Sequence, residues 1–155
     1  MYKFFKADLD DLVKKRDVLA FLVKEAGLSV GEAANQSSET WHDNAPYDIA
    51  KQDLEQFARQ HSELDEIVKH AVIVPTTNIS YDRVVMGTQV KYKNKLGEIR
   101  SIKIGSHIPS IESGAISCAA PTAHILMNNE VGNVVKGEIA GRAVEYEILE
   151  IAPWQ

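Results

Sequence analysis

The chain has 155 residues, 45% of them apolar and 25% charged, and a formal net charge of -5 at neutral pH. That length accommodates one ordinary domain or two small ones, and no apolar run is long enough to cross a bilayer. Acids outnumber bases before residue 75 and balance them after it, which argues against a protein that grips duplex DNA by its phosphates.

An acidic element aimed at a basic channel or at a metal ion fits that distribution better. The opening "MYKFFKADLDD" reaches acids too soon for the apolar core of a secretory signal. The lone cysteine, Cys118, cannot close an internal disulfide or supply a cysteine metal cluster, so a reducing cytoplasm is the expected compartment. Cys118 lies in the apolar "AISCAA" with no basic neighbour in sequence. It reads as a small core residue rather than a reactive thiol.

Residues 8–38 read as a helix, because Leu9, Leu12, Arg16, Leu19, Leu22 or Val23, and Ala26 recur every three or four positions. Gly27 and Gly31 each weaken it by ~1 kcal/mol relative to alanine and predict a bend or frayed turn. From about residue 45 to 71, Ala50, Leu54, Phe57, His61, Leu64, Val68 and Ala71 step by four and three, which is a heptad seam. Two such helices with a short break between them must run antiparallel and bury each other's stripes. His61 on the seam is expected to be a packed core histidine, since no second His or Cys stands at ligand spacing. Lys14 and Lys15 in "KKR" read as a solvated helix face, with partner contact as the alternative.

Residues 75–82, "PTTNISYD", form the joint to a second part whose period is two. "RVVMGTQVKYK" and "GEIRSIKIG" read as strands joined through "NKLG". "GAISCAAP" holds a short strand. "PTAHILMNN" is one short helix, with Pro121 in its first turn and Asn128 as a left-handed stop. "NVVKGEIAGRAVEYEILEI" makes a second hairpin about Ala140 and Gly141. The expected class is α+β: helical residues 1–74, then residues 75–155 as a twisted antiparallel sheet with one helix on a face.

These features, in this order, resemble the Gre transcript cleavage factors, GreA and GreB, over nearly the whole chain. The likeness is carried by "VVMGTQVKY", "GAIS", the Pro-led helix, "VGNVV" and the hairpin ending "VEYEILEI", at matching separations. "NAPYDIAK" at 44–51 likewise resembles the segment that begins the family's second coiled-coil helix. The resemblance implies an N-terminal antiparallel coiled-coil hairpin and a C-terminal domain like the FK506-binding proteins. It also implies a partner, bacterial RNA polymerase, with the globular domain docked at the rim of the secondary channel and the rod inserted towards the active site. There the tip acids would assist the polymerase's own hydrolysis of backtracked RNA at its 3′ end. The chain would be a monomeric factor rather than an enzyme, with no cofactor beyond the polymerase's Mg2+.

Chemistry explains why acids belong at such a tip. Two-metal phosphodiester hydrolysis needs one ion for the leaving oxygen and one to activate water. Magnesium accepts carboxylate oxygens while keeping several waters, so one or two added carboxylates can secure a loosely held ion or orient the attacking water.

The tip departs from the family pattern of Asp, apolar, variable, Glu, Asn, Ala. It reads Thr40, Trp41, His42, Asp43, Asn44, Ala45, so Asp43 matches the second acid and Thr40 replaces the first. Glu39 stands one residue early, and adjacent helical side chains point about 100° apart. Thr40 can bond water but supplies no negative charge. Asp43 and Glu39 are therefore the expected catalytic and metal-handling carboxylates. Thr40, Trp41, His42, Asn44 and Tyr47 are the expected partner contacts at the tip.

Each has a plainer role open to it. Asp43 or Asn44 can cap the second helix, ahead of Pro46 and Asp48; Trp41 can pack over Tyr47; His42 can be solvated. In the globular half the family's docking surface includes the loop entering the Pro-led helix, here Ala120, Pro121 and Thr122, with Ala120 where the family commonly has Ser. Two rivals remain. One is a Gre-fold regulator that occupies the channel without promoting cleavage, motivated by Thr40. The other is a prolyl isomerase, which rests on fold analogy alone and finds only Tyr92, Tyr146 and Trp154 as aromatics after residue 82.

Overall fold

The computed structural model describes residues 1–36 and 45–154. The fold is α+β, and the chain divides into two compact units, Leu9–Ala71 and Met1–Asp8 with Val72–Gln155.

The first unit is a pair of helices, α1 (Lys6–Gln36) and α2 (Ala45–Lys69). The stripes expected from sequence are the ones turned away from solvent: Leu9, Leu12, Leu19, Leu22 and Ala26 on α1, and Ala50, Leu54, Phe57, His61, Leu64 and Val68 on α2. Arg16 reaches Asp65 across the seam at 3.9 Å. The frayed turn expected as one outcome at Gly27 and Gly31 is not there; α1 runs as one helix through both. Each glycine is exposed, with open space where a side chain would be. Ala26, Val30 and Ala33 around them face inward, so packing of the seam outweighs a propensity cost of ~2 kcal/mol for the pair.

In the second unit a two-stranded ribbon pairs β1 (Tyr2–Phe4) with β2 (Ala71–Ile73). The main sheet has the order β5-β4-β3-β7-β6. It is built from β3 (Thr88–Asn94), β4 (Ile99–Gly105), β5 (Ile116–Ser117), β6 (Val134–Ile139) and β7 (Arg142–Pro153). The expected antiparallel pairings are present, and β5 adds a short parallel pairing with β4. The loop between them, residues 106–115, carries the chain back so that β5 starts beside Ile104, as a parallel neighbour requires.

The β3 strand starts later than its alternating pattern suggests. Thr88 donates to the carbonyl of Val85 through both its amide and its hydroxyl, closing a turn. Gly87 in that turn has φ +89, and a Cβ there would collide with Ile79 Cδ1, so the turn needs glycine. The "NKLG" turn forms as expected: Asn94 Oδ1 accepts the amides of Leu96 and Glu98. The second hairpin turns at Ala140 (φ 51) and Gly141 (φ 76).

Helix α3 (Pro121–Leu126) covers one face of the sheet, burying Ala123 and Leu126 against Val84, Val90, Tyr92, Ile104 and Ile148. It ends at Leu126 with Met127 as its cap, and Asn128 just beyond has the expected left-handed conformation, with φ 65.

Candidate functional site

Six expected site residues, Glu39, Thr40, Trp41, His42, Asp43 and Asn44, lie outside the described residues. The chain on either side of them is described. Helix α2 begins at Ala45 with Pro46 next and Asp48 in its first turn, an order favourable to a helix start. Tyr47 is half-buried there. Further along the hairpin, the hydrogen bond from Lys69 lowers the Asp65 carboxyl from its ordinary value, with smaller help from His61 and Arg16. Asp65 thus presents a stable negative charge to Arg16 across the seam.

The remaining expected contacts, Ala120, Pro121 and Thr122, come together at one loop-to-helix junction. Ser117 organises it: its Oγ donates to the carbonyl of His107 (2.6 Å) and accepts the amide of Ala119 (3.1 Å). Its carbonyl accepts the amide of Ala120 (2.9 Å). Ala120 sits at the cap position with φ -63 and ψ 142 and makes no side-chain cap bond. Pro121 follows in the first turn and is exposed, while Thr122 is half-buried. The junction therefore offers a fixed backbone and an exposed pyrrolidine ring. Beside it Cys118 is half-buried against the core, and burial raises its thiol above the usual value, so it stays a protonated thiol at neutral pH.

One set of supporting residues carried no sequence signal. The carboxylate of Asp8 accepts the hydroxyl of Ser106 and, at 3.1 Å, the amide of Ser110. The same Ser106 hydroxyl accepts the amide of Phe5 at 2.8 Å. The Tyr2 and Phe4 rings lie 4.6 and 6.1 Å from the imidazole of His107. Together these bonds fix the 106–110 loop behind the junction. Asp8 and Ser106 stand 98 residues apart, and neither belongs to a periodic pattern.

Residues 78–153 match the family described as transcription elongation factor GreA/GreB, C-terminal part. The chain is 32% identical over 111 residues to the transcription elongation factor GreA of Aliarcobacter butzleri, covering 70% of this chain and 69% of that protein. The chain belongs to the GreA/GreB family. Its likeness to the GreA of Amoebophilus asiaticus extends further, at 28% identity over 147 residues, 92% of this chain and 94% of that protein. Among solved structures, the GreA factor homolog 1 of Thermus thermophilus aligns with 96% of this chain and 97% of its own at 23% identity, with a TM-score of 0.46.

As a Gre-type transcription elongation factor, the chain carries its family match from within the 75–82 joint through β7, so the Ala120–Pro121–Thr122 junction lies inside it. No described group of three or more His, Cys, Asp and Glu could hold a metal ion. Glu39 and Asp43, the carboxylates expected at the tip, are hard oxygen donors of the kind that magnesium accepts.

Proposed function

We propose that this Gre factor binds bacterial RNA polymerase through its secondary channel and stimulates the polymerase's intrinsic cleavage of backtracked RNA. Glu39 and Asp43 supply the carboxylates at the RNA 3′ end. The observation that supports this most is the hairpin itself. Helices of 31 and 25 residues are about 46 and 37 Å long, they share one apolar seam, and their connection carries both acids. A rod of that length can carry a small acidic group into a channel too narrow for a globular domain.

In this reading the polymerase's Mg2+ supplies Lewis acidity and lowers the pKa of bound water. The chain's part is to place negative charge and hydrogen-bond acceptors there. Asp43 holds a carboxylate one methylene shorter than the family's second acid, and Glu39 offers a longer side chain that can offset its earlier position. The exposed Pro121 and the rigid junction around it serve the docking of the globular unit at the channel rim.

The test is a cleavage assay on stalled, backtracked polymerase with a parallel binding measurement. The reading expects shortened RNA and new 3′ ends when the chain is added, at concentrations where it binds. Binding without any cleavage overturns it.

That outcome would favour a second reading, for which Thr40 is the specific observation. A tip lacking the first acid can occupy the channel without assisting hydrolysis and so act as a regulator or inhibitor. In that case Thr40→Asp should add cleavage to a chain that otherwise only binds.

A further inference from the structure

The globular unit contains a pocket of about 360 Å³ walled by the aromatic side chains of Phe5, Tyr81 and Trp154, with Asp8, Thr76 and Ser113 contributing polar atoms. Every lining residue belongs to the same compact unit. We propose that this pocket takes an arginine side chain presented by a protein partner.

Charge complementarity carries the argument. The Asp8 carboxylate has two neutral donors, the Ser106 hydroxyl and the Ser110 amide, and makes no ion pair among the described residues. A carboxylate oxygen can accept more than one hydrogen bond, so capacity remains for a cation. Aromatic rings attract a cation electrostatically, and of those lining the pocket Tyr81 is exposed and Trp154 half-buried, while Phe5 belongs to the core behind them. Phe5 and Trp154 meet at a tilt of 65° with centroids 6.0 Å apart, leaving their faces directed differently. Trp154 already attracts a cation of this chain, with Lys103 Nζ lying 5.9 Å from its centroid.

Arginine fits this lining better than lysine. Its planar guanidinium stacks on an aromatic face and carries five donors in a fixed fork. The pocket lining holds acceptors in the Asp8 carboxylate and the hydroxyls of Thr76 and Tyr81, while the Ser113 hydroxyl already donates to the Ser110 carbonyl and accepts the Ala115 amide. A lysine ammonium would use fewer of these and would lose the stacking.

The aromatic lining draws on rings from both ends of the chain. Phe5 directly follows the N-terminal strand and Tyr81 belongs to the joint, so two of the three rings lie before residue 82 in the chain and join Trp154 only through the fold.

Fluorescence tests the proposal. In Trp41→Phe the one remaining tryptophan is Trp154, because the sequence holds two. An acetylated, amidated pentapeptide with a central arginine should change its emission saturably. The same peptide with citrulline, which keeps the shape but loses the charge, should bind at least about tenfold more weakly. Lys103→Gln, which removes a competing positive charge, should tighten arginine binding. Since Asp8 also holds the 106–110 loop, Asp8→Asn is read beside Tyr81→Ala, whose side chain is 40% exposed. Both should weaken binding severalfold. Equal binding of the citrulline peptide, or no effect of Tyr81→Ala, overturns the proposal. Ethylguanidinium binding as tightly as the peptide overturns the protein-borne occupant in favour of a small cation.

Discussion

Tyr92 on β3 and Tyr146 on β7 meet edge to face in the core, their ring centroids 4.8 Å apart and their planes at 66°. Both are nearly buried, and the pair anchors the sheet face that α3 covers. Burial raises the Tyr92 phenol above its ordinary value, with Tyr146 adding to the shift and Arg100 opposing it.

A pH dependence follows from that shift. The folded state favours the neutral phenol, so its pKa exceeds the unfolded value of about 10. Stability from this group is complete below pH ~10 and declines as pH rises through the folded pKa. Urea unfolding between pH 7 and 11 should show a shallower alkaline decline for Tyr92→Phe than for the wild type. Identical declines would mean that the phenol does not titrate as a buried group.

The glycines of α1 give a second prediction. Gly27 and Gly31 have helical surroundings, and nothing lies within 4 Å of where an added methyl group would sit. Gly27→Ala and Gly31→Ala should each stabilise the chain by about 0.5–1 kcal/mol. Denaturant midpoints measure this directly. A loss of stability would show that the exposed face of α1 is not free there.

The β6–β7 turn gives a third. Ala140 holds φ 51 before Gly141 at φ 76, the positive pair of a two-residue hairpin turn, and an alanine in that region is strained by roughly 1–2 kcal/mol. Ala140→Asn should recover about 1 kcal/mol of this. Thermal unfolding of the two forms checks it, and an unchanged midpoint would contradict the strain.

Periodicity made much of this fold readable. The seam from Ala50 to Val68 and the stripe from Leu9 to Ala26 lie where their three- and four-residue steps put them, because a helix face repeats locally. Asn94, Asn128 and Gly141 marked their turns through their own backbone preferences. Other features depend on partners distant in sequence. The strand β1 is three residues long and has no period to detect. The bonds of Asp8 to Ser106 and Ser110 join groups about a hundred residues apart, and the parallel pairing of β5 depends on how the 106–115 loop turns. Local propensity misled at Gly27 and Gly31, where the seam on the opposite face holds the helix.

The site divides the same way. The Ala120–Pro121–Thr122 junction was legible because proline marks a helix start, while the serine bonds that hold it were not. The acids Glu39 and Asp43 are read from the sequence, and their assignment rests on the family pattern and on carboxylate chemistry.

The most direct test of the central claim, that this hairpin delivers carboxylates to the polymerase, is the rate of RNA cleavage in backtracked complexes with Glu39→Gln and Asp43→Asn combined. The account predicts that stimulated cleavage disappears while affinity for polymerase stays unchanged. Cleavage at the wild-type rate by the double variant would contradict it.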